Sequence, residues 1–273
     1  MYIAISNSIG ASSRVNGGGG GGSFTNKYSL ALDGVDDYLN CGDVTTLSNA
    51  STFTYSGWYK QTTLDVSAFM FGSQVDATNY IGFYTWSDGN LYIDMKQGSI
   101  HYGYFDYSLY VTAGQWFHFA IVFDGLGATT SDKIKCYING ALITLTLPYS
   151  FPTTTPTGTN ITGIGKMDTF SQTWNGSADE VSLFSTAKTQ TDITAIYNSG
   201  NPAKIEGATS WWRMGENATF LTNWSVPDQI GSATGTSANM TIEDLTGEAP
   251  NYTGGGTSAN MTIEDRIGDA PNS

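Results

Sequence analysis

The sequence is short of positive charge. Eleven Lys and Arg stand against 24 Asp and Glu in 273 residues, a formal net charge of −13. Nucleic-acid phosphates are held by clustered Lys and Arg, so this balance excludes a nucleic-acid binder. An anionic membrane surface is repelled on the same grounds. Cysteine is nearly absent: Cys41 and Cys136 lie far apart, too few for a disulfide framework, and the sequence leaves open whether they pair. There is no apolar run of about 18 residues, so no transmembrane helix is expected. The opening MYIAISNSIGASS has no basic segment and no adequate apolar run, and no secretory signal is expected there.

The groups that carry catalysis are also scarce. The two histidines, His101 and His118, form no His-x-x-x-His pair, and there is no Cys-x-x-Cys spacing. His118 sits inside an apolar strand and reads as a core histidine. A retaining glycosidase needs two carboxylates about 5–5.5 Å apart, which a Glu-x-Asp-x-Glu strand would supply. Of the six glutamates only Glu180 falls in a core strand motif, and no such cluster occurs. There is no Gly-x-Ser-x-Gly elbow, and the glycine run lacks the lysine and the strand–helix setting of a phosphate loop. A non-enzymatic protein is expected.

What is abundant is Tyr, Phe, Thr, Ser and Gly, a balance that favours strands. TFTYSGWYK at 52–60 alternates with aromatics. Short strand signals follow at 69–72, 80–86, 91–96 and 100–105, with Ser87-Asp88-Gly89-Asn90 as a hairpin turn. WFHFAIVF at 116–123 is almost wholly apolar and suits the heart of a sandwich. Strands at 133–138 and 141–145 flank the turn Asn139-Gly140. One helix is expected at 189–198, capped by Thr189 or Thr191 and stopped by Gly200 and Pro202. Many short strands with regular turns predict an all-β, two-sheet antiparallel β-sandwich with one short helix and extended terminal arms.

Three pieces follow along the chain. Residues 1–26 form an N-terminal arm with six consecutive glycines, Gly17 to Gly22, which cannot pack a core. Residues 27–215 form the sandwich. Residues 216–273 form a tail in which GTSANMTIEDLTGEAPN (235–251) returns as GTSANMTIEDRIGDAPN (256–272), a period of 21. Each copy has few strong anchors, so the tail is expected to lie along another surface.

The motif order in the middle resembles the laminin-G-like (concanavalin A-like) jelly roll. YSLALDGVDDYLNCGD resembles its first strand and acidic turn, TFTYSGWYK its second aromatic strand, GQWFHFAIVFDG with KIKCYINGALI its central strand and hairpin, and NGSADEVSLFSTAKTQTDITAIYNSG its closing strand and helix. The resemblance covers about 170 residues, and the two arms lie outside it. It implies that first and closing strands lie side by side, so that Asp33-Gly34 approaches Asp179-Glu180. It also implies sugar or protein ligands and, in many members, a structural calcium. Asp33, Asp36 and Asp37 in one turn, joined by Asp179 and Glu180, would then offer the hard oxygens that Ca²⁺ takes. The plainer reading is that Asp33 and Asp36 satisfy backbone amides in a tight turn.

Alternation also proposes a sugar platform. Tyr80, Tyr84 and Trp86 share one strand face, and so do Tyr92, Asp94 and Lys96 on the next, with Tyr102, Tyr104 and Trp174 as flanks. The plainer readings are that tyrosines suit strands, or that this face meets another subunit. The glycine arm and acidic repeat tail resemble structural proteins of marine bacteriophages. That resemblance implies a virion component, either a capsid decoration or a tail appendage. Its arms would bind other virion proteins and copies of itself, and its sandwich would touch host-surface glycans. The alternatives are a free carbohydrate-binding lectin and, less favoured, a glycoside hydrolase.

Overall fold

The computed structural model describes residues 24–158 and 161–250. The glycine run and the second repeat copy lie outside the described residues. Two antiparallel sheets form a sandwich. In chain order the strands begin with β1 (Ser29–Asp33), β2 (Tyr38–Gly42), β3 (Thr52–Gln61), β4 (Ala68–Asp76), β5 (Asn79–Thr85) and β6 (Asn90–Gln97). Next come β7 (Ser99–Asp106), β8 (Trp116–Asp124), β9 (Ile134–Ile138), β10 (Ala141–Ile143), β11 (Ile161–Ile164) and β12 (Asn175–Phe184). The chain closes with β13 (Ser210–Trp212), β14 (Thr219–Phe220), β15 (Trp224–Val226), β16 (Gly235–Ala238) and β17 (Leu245–Thr246). The first sheet runs β10-β9-β8-β3-β12-β1-β17, with β13 also pairing β12. The second runs β14-β15-β16-β2-β11-β4-β5-β6-β7.

Period-two alternation builds the core. From the first sheet Phe53, Tyr55, Tyr59, Phe117, Phe119 and Phe123 point inward, and from the second Phe71, Phe83, Leu91, Ile93 and Phe105 meet them. The Tyr55 ring lies 4.6 Å from Phe71 and 5.1 Å from Phe83. The Tyr55 and Tyr59 hydroxyls bond each other, and Tyr59 donates to the Met70 carbonyl, so neither polar tip is orphaned in the core. Cys41 of β2 and Cys136 of β9 are buried free thiols on opposite sheets.

β8 is apolar on both sides because both sides are covered. Its other face, with Ala120 and Val122, packs with Tyr137 against Ile193 and Ile196 of the helix. That helix, Gln190–Tyr197, starts where the sequence places it: Thr189 caps it in a reciprocal box with Asp192. Asn198 in the left-handed region ends it, ahead of the expected Gly200 and Pro202. A second, four-residue helix at Thr130–Lys133 was not expected, although Thr129 and Asp132 form the same box.

The boundary expected at 215 does not separate a tail from the sandwich. β16 pairs β2 and β17 pairs β1, so residues 219–246 add strands to both sheets. Trp224, Val226, Met240 and Leu245 enter the main core. The first repeat copy is fastened by polar contacts as well: Trp224 donates from its backbone to Ser237 Oγ (2.8 Å) and from its indole to the Thr241 carbonyl (2.7 Å). The sequence hid this because the strands are two to four residues long and show no period.

Leu245 is 1% exposed, so Leu245→Ala leaves a core cavity. We expect a loss of about 2–4 kcal/mol in urea unfolding. An unchanged midpoint would mean that the tail is only appended.

Candidate functional site

The outer face of β5, β6 and β7 carries the tyrosines. Register places Tyr84 opposite Tyr92 and Tyr92 opposite Tyr104, with Gly82, Asp94 and Tyr102 in the next row and Tyr80, Lys96 and Ile100 in the one after. Tyr80, Tyr84, Tyr92, Asp94, Lys96, Tyr102 and Tyr104 therefore share one face. The rings of Tyr84 and Tyr92 are 5.4 Å apart and 9° from parallel, and those of Tyr92 and Tyr104 are 5.3 Å apart at 25°. This is a cross-strand ladder whose rings cover each other's faces. The ladder itself presents ring edges, and the Tyr84 and Tyr92 hydroxyls are spent on Asp94 and Asp88. Freer ring surface lies at its ends, on Trp86 (38% exposed, 5.9 Å from Tyr84) and on Tyr149 (49% exposed, 5.2 Å from Tyr102).

Two platform residues are buried. Tyr80 is 5% and Asp94 2% exposed, because Phe69, Met167 and Phe170 cover this part of the sheet. Asp94 Oδ2 accepts the hydroxyls of Tyr84 (2.9 Å) and Tyr80 (3.5 Å), while Oδ1 has no partner among the described residues. Burial pushes the Asp94 carboxyl up to about 7, against the opposing pull of the two hydroxyls and Lys96. Lys96 reaches the Ala77 carbonyl at 3.2 Å and lies 5.8 Å from the Tyr80 ring centre. Trp174 does not flank the face. It is fully buried in the core, edge-on to Tyr59, with its indole donating to the Ser177 carbonyl.

Sequence reasoning missed the segment that borders this face. Residues 166–170 cross the sheet as a ridge, with Met167 lying over Gly72 and Gly82. A Cβ on Gly72 would sit 2.5 Å from Met167 Cβ, so only glycine lets the ridge approach. Glycine inside a strand marks such an approach, and Gly72 and Gly82 were the available signal.

The five residues considered for calcium do not form one site. Asp33 pairs with Asn175, four positions before Asp179, which is about 13 Å at strand rise. Asp33, Asp36 and Asp37 stay together, but Asp33 Oδ1 accepts the amides of Val35 (2.7 Å) and Asp36 (3.3 Å), and Asp37 Oδ2 accepts that of Asp33 (3.1 Å). The turn thus uses its carboxylates on its own backbone. Asp179 and Glu180 group instead with Glu216. A bulge in β12, with Glu180 at φ +49°, brings these two consecutive carboxylates together. Asn26 donates to Asp179 (2.9 Å), Trp211 (2.6 Å) and Arg213 (3.1 Å) donate to Glu180, and the Lys27 and Tyr28 amides donate to Glu216. Burial raises all three carboxyls, Glu180 to about 7. His118 is fully buried, its Nε2 2.8 Å from Ser56 Oγ, and desolvation pushes it down to about 3. It is a neutral core ring, as expected.

Asp94 carries a pH signature. Its folded value of about 7 exceeds its ordinary 3.8, so its stabilising contribution is full below pH 4 and is lost as pH rises through 7. Asp94→Asn removes that loss. Above pH 7.5 the variant is expected to exceed the wild type by about 1–4 kcal/mol in urea unfolding, and the advantage vanishes near pH 4. Equal pH profiles would show that Asp94 ionises freely.

Comparison places this geometry among known folds. No curated protein matches the chain in sequence. A SAP-like pentraxin from Limulus polyphemus aligns with a TM-score of 0.51 at 16% identity, over 77% of this chain and 95% of that one. A protein of Bacteroides ovatus assigned to carbohydrate binding aligns with a TM-score of 0.59 at 14% identity, over 84% of this chain and 61% of that one. At such identities the likeness is one of fold. Residues 33–194 match the family model Laminin_G_3, described as the concanavalin A-like lectin/glucanases superfamily, and the chain belongs to that family.

Proposed function

We propose that the tyrosine face binds saccharide and that the protein acts by binding, without catalysis. One observation carries the reading: exposed Trp86 and Tyr149 flank a tyrosine ladder on an outer sheet face, beside a ridge that gives the face a wall. Aromatic surface takes the C–H faces of sugar rings, while polar groups at its rim take their hydroxyls. The family description and the fold shared with the Bacteroides ovatus protein support it. Glucanase action, the other half of that description, asks for two carboxylates flanking a sugar bond. Here Asp94 is buried, and Asp88 is engaged by the Tyr92 hydroxyl (2.8 Å) and the Asn90 amide (3.0 Å).

The test is a glycan array with the full-length protein, followed by calorimetry on the strongest ligand. Trp86→Ala combined with Tyr149→Ala should weaken binding about tenfold or more. An array with no bound glycan, or a double variant that binds as the wild type does, overturns the reading.

A second reading carries this module on a virus particle. The fastened root of the glycine-rich arm favours it. Phe24 stacks near Trp211 with Arg213 against both rings, and Arg213 also bonds the Thr25 carbonyl. A tether fixed at the sandwich can hand its far end to a neighbouring copy or another virion protein. Light scattering with limited proteolysis tests this. A defined oligomer with protected ends supports it, and a monomer trimmed at the arm in the presence of its particle opposes it.

A further inference from the structure

The ridge at 166–170 divides one sheet face into two parts, and only one of them holds the tyrosine ladder. A single row of residues crosses the outer face: Thr236 opposite Asn40, Asn40 opposite Gly163, then Gly72, Gly82, Asp94 and Tyr102. The ridge lies over the three glycines. A Cβ on Gly163 would come 2.4 Å from the Lys166 carbonyl, and one on Gly72 would meet Met167. From this crest Met167 and Phe170 fall toward the tyrosines, where they join Phe69, Tyr80 and Tyr84. Lys166 falls the other way, its ammonium 4.8 Å from the centre of the Tyr38 ring.

On that far side is a trough of about 400 Å³, lined by Tyr38, Asn40, Gly42, Thr234, Thr236 and Ala238. Its character differs from the rest of the molecule. The chain carries a net charge of −13, yet no carboxylate lines the trough, and Lys166 makes no ion pair among the described residues. Asn40 Oδ1 is taken by the Gly42 amide at 2.8 Å, which leaves the Asn40 NH₂ as the donor for a ligand. The walls add the hydroxyls of Tyr38, Thr234 and Thr236.

We propose that this trough is a second saccharide subsite, selective for an acidic sugar residue such as a uronate or sialate. The sugar carboxylate meets the Lys166 ammonium and the Asn40 amide, and the three hydroxyls take the sugar's own. A carboxylate-free hollow with a cation at its Tyr38 rim is a local reversal of sign on an acidic protein, and it favours anions over the rest of the surface. The inference rests on the saccharide reading of the tyrosine face. It adds that a glycan is sorted by charge on the other side of the ridge.

The experiment is a glycan array carrying neutral, uronate-bearing and sialate-bearing oligosaccharides, probed with the wild type, Lys166→Gln, Asn40→Asp and Trp86→Ala. Acidic glycans should bind the wild type and lose about ten- to a hundredfold in Lys166→Gln, the span of one charged hydrogen bond. Asn40→Asp, which places a carboxylate in the trough, should lose them as fully. Neutral glycans should be unchanged in both variants and weakened in Trp86→Ala. Acidic binding that survives Lys166→Gln and Asn40→Asp overturns the trough. So does a wild type that binds neutral glycans alone, which leaves the tyrosine face intact. A wild type that binds no glycan overturns both.

Discussion

The structure depends on closing one aromatic layer off from water. Tyr55, Phe71, Phe83 and Phe119 stack between the sheets at centroid distances of 4.6–6.1 Å, and every edge of that layer has to be covered. On the first sheet the outer face is covered too. Ile193 and Ile196 lie over Ala120, Val122 and Tyr137, while Ile205, Ala208 and Trp211 lie with Phe184. On the second sheet, among the described residues, the outer face receives the narrow ridge with Met167 and Phe170 and, at its edge, Tyr149. Open surface is therefore left on the second sheet, and its tyrosines, amphipathic by nature, suit a face that is half wet.

The position of the ridge decides the shape of that surface. Side chains normally stand several ångströms above a sheet and hold a crossing segment away. Glycines on three neighbouring strands remove those posts along one row, and the segment drops into the gap. Backbone contact at Gly163 and side-chain contact at Gly72 then fix it laterally. A residue with a side chain at Gly72 would lift Met167, uncover Phe69 and Asp94, and open the tyrosine face to the trough. The separation of an aromatic side from a cationic side is thus a consequence of which strands carry glycine.

How much of this was legible follows from how local each signal is. The strands from Thr52 to Phe105 and the hairpins at Asp88-Gly89 and Asn139-Gly140 were readable, because period-two alternation and turn chemistry are written within a few residues. The grouping of Tyr84, Tyr92 and Tyr102 on one face was readable for the same reason. Ring stacking was not, since it depends on a cross-strand register that alternation alone does not fix. Trp174 was expected as a flank of the platform, yet its indole is buried in the core against Tyr59. Asp179 and Glu180 were expected beside Asp33, and the register of β1 on β12 places Asn175 there instead. The bulge that gathers them with Glu216 is a left-handed residue in mid-strand, which no propensity announces.

The repeat shows the same division between local and non-local signals. Its two copies are identical through GTSANMTIED, and in the first copy that stretch holds most of the groups that bond. Ser237 and Thr241 receive Trp224, Asn239 reaches the Asp36 carbonyl at 3.1 Å, and Thr241 and Asp244 cap each other. Divergence begins at the next residue, Leu245, where the second copy has Arg266. Leu245 is buried in the core beside β1. An unpaired guanidinium in that place costs several kcal/mol. The first copy is therefore suited to close the sandwich and the second is not, and identity in the polar stretch does not make the two interchangeable. One position, read with its burial, decides which of two near-identical sequences the core at Leu245 accepts.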